Sequence, residues 1–394
     1  MMPEPNPLVV ATAEPAILEA RSWLDRYDGA LGLPMDLSQA GPPFPPDSEL
    51  LARIAAAAAD PDTARYGPVR GESSLRIAYR DHLQTLYGGD FDPEGVTITA
   101  GCNQAFFIVA LALLQRGDAV LLPSPWYFNH KMTFDMLGIN VRPLPCRPEA
   151  GYLPDVEEAA AAMDQGVRAV VLVTPNNPTG AEYPTELIAQ FHDLCRRRGA
   201  WLIVDDTYRD FRRTPHAPHS LATRAWPEDV IGLYSFSKGY AVPGHRLGAI
   251  MASASLAPQI LKVQDCVQIC AGRPIQIAMT WGVQKLDGWR DARRDQVFAA
   301  STRLTDALRG SGWTVDGIGA YFAYLRHPYP GTSASAISAG LATQVGVLTI
   351  PGGSFGPHQD GHLRLSLPSI TSARAADLRS RLSAFDSLQR VHTA

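Results

Sequence analysis

The chain has 394 residues, 46% of them hydrophobic and 19% charged, with 35 basic and 39 acidic residues for a formal net charge of −4. That length supplies roughly two to three domains' worth of material, and the composition excludes a disordered chain. The balanced charge, with Arg196-Arg197-Arg198 as the densest basic cluster, argues against nucleic-acid or anionic-membrane partners. The five cysteines (Cys102, Cys146, Cys195, Cys266, Cys270) are scattered with no C-x-x-C pair, as expected of reduced thiols in a cytoplasmic protein. No stretch approaches the ~20 apolar residues of a membrane helix, and the N-terminus lacks a signal-peptide pattern.

In chain order, residues 14–27 read as a helical piece and Gly41-Pro42-Pro43-Phe44-Pro45-Pro46 as a stiff linker that no helix can cross. Residues 47–59 read as an Ala-rich helix with Asp47 or Ser48 as N-cap, and 72–86 as another helix. Short Val/Ile/Leu-rich runs then recur at 96–99, 119–122, 140–144, 169–173, 201–204, 231–235 and 247–251. Helix-like segments such as 104–114 and 185–198 separate several of them. Continuous apolar strands alternating with helices predict an α/β sheet covered on both faces. After a helix-like region at 256–309, shorter strands at 321–326, 347–350 and 363–367 and a closing helix at 372–388 suggest a smaller α+β domain. The expected division is a large domain over 47–272 and a small one formed by 1–46 with 273–394.

Open α/β sheets bind ligands beyond the carboxyl ends of their strands, so the residues after each apolar run carry the most information. After 96–99 come Ala100-Gly101-Cys102-Asn103-Gln104, small residues opening a helix whose free N–H groups suit an anion. After 169–173 come Thr174-Pro175-Asn176-Asn177-Pro178-Thr179-Gly180, and after 201–204 come Asp205-Asp206-Thr207-Tyr208. The run at 231–235 leads into Ser235-Phe236-Ser237-Lys238 and then Gly244-His245-Arg246-Leu247-Gly248. Singly, each has an ordinary reading as a turn, an N-cap or a surface lysine. Their convergence on one end of several strands does not.

In this order the motifs resemble the class I/II aminotransferase family, fold-type I enzymes that use pyridoxal 5′-phosphate (PLP). The most specific parts are N-N-P-T-G at 176–180 and the S-F-S-K segment with Arg246 eight residues after Lys238. Tyr66-Gly67-Pro68 with Gly71 and Leu75-Arg76 extends the likeness. The resemblance implies a large, mixed but mostly parallel α/β domain and a smaller α+β domain. It implies a ping-pong aminotransferase moving an amino group from an L-amino acid to a 2-oxo acid, with a β-eliminating C–S lyase as the alternative on the same scaffold.

The resemblance also assigns roles. Lys238 would condense with the cofactor aldehyde and move the Cα proton, since one amine can do both. It is one of only four lysines, and Lys131, Lys262 and Lys285 fall in helix-like segments. Asp205 would face the pyridine nitrogen, with Asp206 as a structural neighbour. Asn177 and Tyr208 would donate to the phenolic oxygen, and Tyr127, or failing it Trp126, would stack on the ring. Gly101, Cys102, Asn103, Ser235 and Arg246 would hold the phosphate, Cys102 through its backbone N–H because a thiol is a poor donor. Tyr66 would reach the phosphate of a neighbouring subunit, implying a homodimer. Arg364, in His362-Leu363-Arg364-Leu365-Ser366, would grip the substrate carboxylate as a bidentate fork, with Asn177 and the backbone of Gly41.

Side-chain selectivity is expected from Trp126, Asn129, Arg70, Arg273 and Phe355, with Tyr66 lent by a neighbouring subunit, and the aromatic lining suggests aromatic or large neutral donors. His358 and His362 have a helical metal-ligand spacing, but Pro357 and Gly361 argue against a helix, so no metal is expected.

Overall fold

A computed structural model describes residues 3–163, 166–214 and 217–393. Its thirteen strands among the described residues are β1 (Met35–Asp36), β2 (Val96–Thr99), β3 (Ala119–Ser124), β4 (Asn140–Pro145), β5 (Val167–Val173), β6 (Trp201–Asp205), β7 (Val230–Ser235), β8 (Gly248–Met251), β9 (Thr314–Gly319), β10 (Phe322–Arg326), β11 (Val347–Leu348), β12 (Ile350–Pro351) and β13 (His362–Ser366). Seven form one sheet in the order β2-β8-β7-β6-β5-β3-β4. Only β8 runs against its neighbours; the other pairs are parallel.

Alternation explains why these apolar runs are strands. Val170 and Leu172 of β5, with Leu202 and Val204 of β6, enter the core on one face of the sheet. Ala169, Val171 and Ile203 enter the core on the other. Both faces are covered, so both residue parities are apolar. The helix Cys102–Leu113 packs on one side, and Thr185–Arg198, with Asp47-capped Ser48–Ala59 and Ser73–Tyr87, belongs to the other.

A second, antiparallel sheet has the order β12-β13-β10-β9, and β1 pairs in parallel with β11. Its core joins Leu363 and Leu365 of β13 to Leu304 and Leu308 of helix Asp287–Leu308 and to Leu378 and Leu382 of helix Ser372–Thr393. Leu37, just beyond β1, links the elements: its N–H donates to the Leu348 carbonyl at 2.9 Å and its carbonyl accepts from Ser366 N–H at 2.9 Å.

The structure departs from the sequence expectation in particular places. The apolar run at 347–350 is two short strands, β11 and β12, in different sheets. β9 was not anticipated, because Asp316, Gly317 and Gly319 are poor strand formers. The 256–309 region is three helices, Ala257–Gln268, Arg273–Lys285 and Asp287–Leu308. The Pro-rich linker is pinned rather than free: Phe44 meets the edge of Trp289 at 5.8 Å and the Arg293 guanidinium lies 5.2 Å over Phe44.

The glycines of β9 have a purpose. The N-N-P-T-G turn ends at Gly180, whose φ is +75°, and a Cβ there would enter the backbone of Gly319. Gly317 likewise lies against the Thr179 carbonyl. Gly180→Ala therefore combines left-handed strain with a backbone clash and should destabilise the fold by roughly 2–4 kcal/mol. Gly151→Ala, at φ +64° with nothing near the added carbon, should cost only about 1 kcal/mol. Urea unfolding of both variants checks this, and equal losses would sink the close-contact argument.

Candidate active site

Where β6 and β7 end, a cavity of about 210 Å³ is lined by residues that the chain brings from distant places. Asn103, Tyr127, Asn177, Asp205, Tyr208, Ser235, Lys238, Arg246 and Cys102 all border it, together with Gln39, Val173, Thr207, Ser237 and Pro243.

One end of the cavity is a cradle of donors. Helix Cys102–Leu113 begins at Gly101 (φ 97°), which has no side-chain cap, so its first N–H groups remain available. A Cβ on Gly101 would collide with the Arg246 guanidinium, and one on Gly248 would lie 2.6 Å from the carbonyl carbon of Gly101. Glycine at both positions lets Arg246 rest against the helix start. Arg246 is held there by its Nη1 donating to the Pro243 carbonyl at 3.0 Å. Ser235 Oγ accepts from Ser237 N–H at 3.3 Å, while the buried Ser237 Oγ has no partner. A guanidinium, two hydroxyls and free amides suit a phosphate dianion.

A buried carboxylate occupies a second position. Asp205 is 4% exposed. Its Oδ2 lies 3.2 Å from His130 Nε2, and its Oδ1 accepts from Thr207 N–H at 2.9 Å. Burial alone would raise this carboxyl; the His130 contact and the Thr207 donors outweigh it and hold the group below its ordinary value. The His130 ring is fixed by stacking on Phe106, centroids 3.8 Å apart. Asp205 thus stays ionised. Cys102 Sγ lies 3.8 Å from the same Oδ1.

Among the described residues, neither Lys238 nor Arg364 is paired with a carboxylate. Lys238 Nζ donates to the Ala40 carbonyl at 2.6 Å, and burial, then Arg364 and Arg246, lower its pKa to about 8. Arg364, on β13 and 2% exposed, donates through Nη1 to Asn177 Oδ1 at 3.1 Å and through Nη2 to the Ser38 carbonyl, while its Nε has no partner. The rings of Phe322 and Phe355 lie 5.4 and 5.3 Å from its guanidinium. Burial lowers its pKa to about 10, and no carboxylate among the described residues contacts it. A buried guanidinium bonded only to neutral oxygens is receptive to a carboxylate.

Tyr127 borders the cavity, its hydroxyl donating to Asn103 Oδ1 at 3.3 Å. Trp126 instead lines a separate space beside the N-terminal helix Ala16–Leu24. Other expected residues stand outside the cavity. Tyr66 is 81% exposed. Gly41 lies one residue beyond Ala40, its N–H donating to the Gln39 carbonyl at 2.8 Å. Arg70 is paired with Glu94, and Arg273 with Glu72 and the Asp62 carbonyl, so neither of these candidates for substrate recognition enters the site. His362 contacts Asp316 and Tyr152, and no metal-ligating cluster occurs among the described residues. Sequence reasoning assigned no role to His130, Thr207, Ser237 or the carbonyls of Ser38 and Ala40. Thr207 and Ser237 stand inside the motifs after β6 and β7, and His130 lies three residues after Tyr127, on the same side of the helix start; the two carbonyls carry no signal.

The donor set fits PLP: a phosphate cradle, an ionised carboxylate, a lysine of depressed pKa and flanking Asn177 and Tyr208. Residues 34–382 match the family model for aminotransferase class I and II. The chain is 29% identical over 383 residues to the aromatic aminotransferase ISS1 of Arabidopsis thaliana, covering 94% of each. It is 31% identical over 334 residues to the arginine–pyruvate transaminase AruH of Pseudomonas aeruginosa, covering 82% of this chain and 83% of that one. Its fold matches the aspartate aminotransferase of Thermus thermophilus with maleate, at a TM-score of 0.89 and 22% identity over 98% of this chain and 100% of that one.

The lysine's environment has a measurable cost without any ligand. Lys238 titrates near 8 in the fold against 10.5 for a free side chain. The unfolded chain therefore binds more protons between those values, and stability rises with pH across that window. Below it the full penalty, roughly 3 kcal/mol, is present. Cofactor-free Lys238→Met should be more stable to urea than the wild type at pH 7, with the gap closing from pH 8 to 10.5. A gap that does not change with pH would refute the assignment.

Proposed function

The chain belongs to the class I and II aminotransferases, PLP-dependent enzymes, and from that premise we propose that it transfers the amino group of an aromatic or large neutral L-amino acid to a 2-oxo acid by ping-pong turnover. The observation that carries this is the convergence of Lys238, Asp205 and, through Asn177, Arg364 on one cavity. When bound, PLP supplies an aldehyde conjugated to an electron-withdrawing pyridine ring. Arg364 and Asn177 hold the donor's α-carboxylate and so set the direction of its Cα–H bond. Lys238 Nζ takes the Cα proton, and its depressed pKa places the neutral, basic form within reach at mildly alkaline pH. Asp205 would keep a proton on the ring nitrogen, and Asn177 and Tyr208 would donate to the phenolic oxygen. Arg246, Ser235 and the amides of Gly101, Cys102 and Asn103 would hold the phosphate, with Tyr127 available to the ring.

Several observations support the donor class. The rings of Phe322 and Phe355 surround Arg364, and the two other candidate arginines are engaged in ion pairs. A relative named as an aromatic aminotransferase is 29% identical. Tyr66 does not line its own cavity and is 81% exposed, which suits a homodimer in which each subunit lends Tyr66 to the other's phosphate. Residues 47–272 act as the large domain, extended beyond the expected boundary by helix Arg273–Lys285, whose Ile275, Ala278 and Met279 pack into the same core as Leu50 and Leu75; 1–46 and the residues after that helix close over the substrate. The five unpaired cysteines fit a reducing cytoplasm.

Borohydride reduction of the holoenzyme should label Lys238 alone. A panel of donors against pyruvate and 2-oxoglutarate should give parallel double-reciprocal lines. Arg364→Lys should lose roughly 100-fold or more in donor kcat/KM, because a point charge cannot replace the fork, while PLP absorbance is retained. Pyruvate released from a cysteine S-conjugate without any 2-oxo acid acceptor would overturn the transaminase reading in favour of β-elimination.

A further inference from the structure

The segment that places Lys238 and Arg364 also presents a side chain of its own. Ser38 and Ala40 direct their carbonyls to those two cations. Between them Gln39 is exposed and contributes to the lining of the cavity. Its carboxamide is tethered: Arg21, on helix Ala16–Leu24, donates from Nη2 to Gln39 Oε1 at 2.7 Å.

That contact fixes the orientation of the amide. A guanidinium has donors only, so the oxygen must face Arg21 and the NH₂ must turn away from it. The NH₂ has no partner among the described residues. Arg21 itself is balanced by Asp36 at 3.7 Å, and Asp36 is fixed by the N–H and hydroxyl of Ser38 at 2.8 and 2.6 Å. Gln39 therefore gives the cavity lining an oriented pair of neutral donors. Such a pair can bond a carbonyl oxygen on the side chain of a bound amino acid.

We propose that Gln39 is a specificity-determining residue whose Nε2 hydrogen-bonds a carbonyl oxygen on the donor's side chain, with Arg21 as its positioning residue. The substrate class this selects is large neutral amino acids with a carboxamide or aryl-ketone side chain. The inference rests on the transaminase reading above and narrows it.

The test compares glutamine with norleucine, its acceptor-free counterpart of equal chain length, as donors to the holoenzyme. Gln39→Leu should lower the glutamine-to-norleucine ratio of kcat/KM roughly tenfold, mainly through KM. Gln39→Glu should lower it as well, because it keeps a partner for Arg21 yet presents no donor. Arg21→Leu should lower it about threefold and Arg21→Lys should restore it. Calorimetry with two unreactive acids, glutaramate and hexanoate, reads binding without turnover: the wild type prefers glutaramate and both Gln39 variants lose that preference. A ratio and a binding preference unchanged in Gln39→Leu would overturn the proposal, as would a Gln39→Glu enzyme that keeps both. An enzyme that prefers glutaramate but transaminates no donor counts instead against the functional reading.

Discussion

A three-residue stretch, Ser38 to Ala40, holds the two cations on which the site depends. The Ala40 carbonyl takes the Lys238 ammonium and the Ser38 carbonyl the Arg364 guanidinium. Neutral carbonyls stabilise a buried charge far less than a carboxylate does, so both groups remain electrostatically unsatisfied, Lys238 at about 8 and Arg364 at about 10. A carboxylate at either position would make the apo fold more stable and would compete with substrate. The segment reaches this place because Leu37 is hydrogen-bonded to both β11 and β13. The small sheet, the N-terminal strand and the large sheet's lysine are thereby held in one frame.

Close approach of backbones is the second requirement, met by glycine. Gly101 and Gly248 let Arg246 and the helix start share one corner, and Gly180 with Gly319 brings the turn carrying Asn177 against β9. Asn177 in turn bonds Arg364. The Arg364 guanidinium is thus coupled to the large sheet through a side chain and through a backbone contact a few residues away. A displacement of β9 or β13 would alter the geometry of both contacts.

Much of this was legible in the sequence because the large sheet is buried on both faces: its strands are continuous apolar runs, and their carboxyl ends carry polar motifs at fixed offsets. The small sheet was less legible. β9 is half glycine and aspartate, and the run at 347–350 gives no sign that it changes sheets after Leu348. Cavity residues with distinctive chemistry, such as Lys238 and Asp205, could be found from type and position. Contacts made by backbone atoms could not, since Ser38 and Ala40 act through carbonyls that every residue has. Arg70 and Arg273 were misjudged for a related reason: their ion pairs with Glu94 and Glu72 bridge parts of the chain that no local pattern connects.

The adjacent carboxylates Asp205 and Asp206 show how local geometry divides two similar groups. Both are almost fully buried, and burial pushes both acidities upward. Asp205 closes β6 facing the cavity, where His130 and the Thr207 amide stabilise its anion enough to reverse that push. Asp206 turns away to accept from the Tyr87 hydroxyl at 2.9 Å; one phenol, with Arg209 and Arg212 nearby, leaves it at about 6 and its Oδ1 unpartnered. The difference lies in the number of donors aimed at each anion rather than in depth of burial. Only the first lines the cavity, and it keeps its charge further into acid than the second. The Phe106 stack that fixes His130 is therefore part of the electrostatics of the site, although it carries no charge of its own.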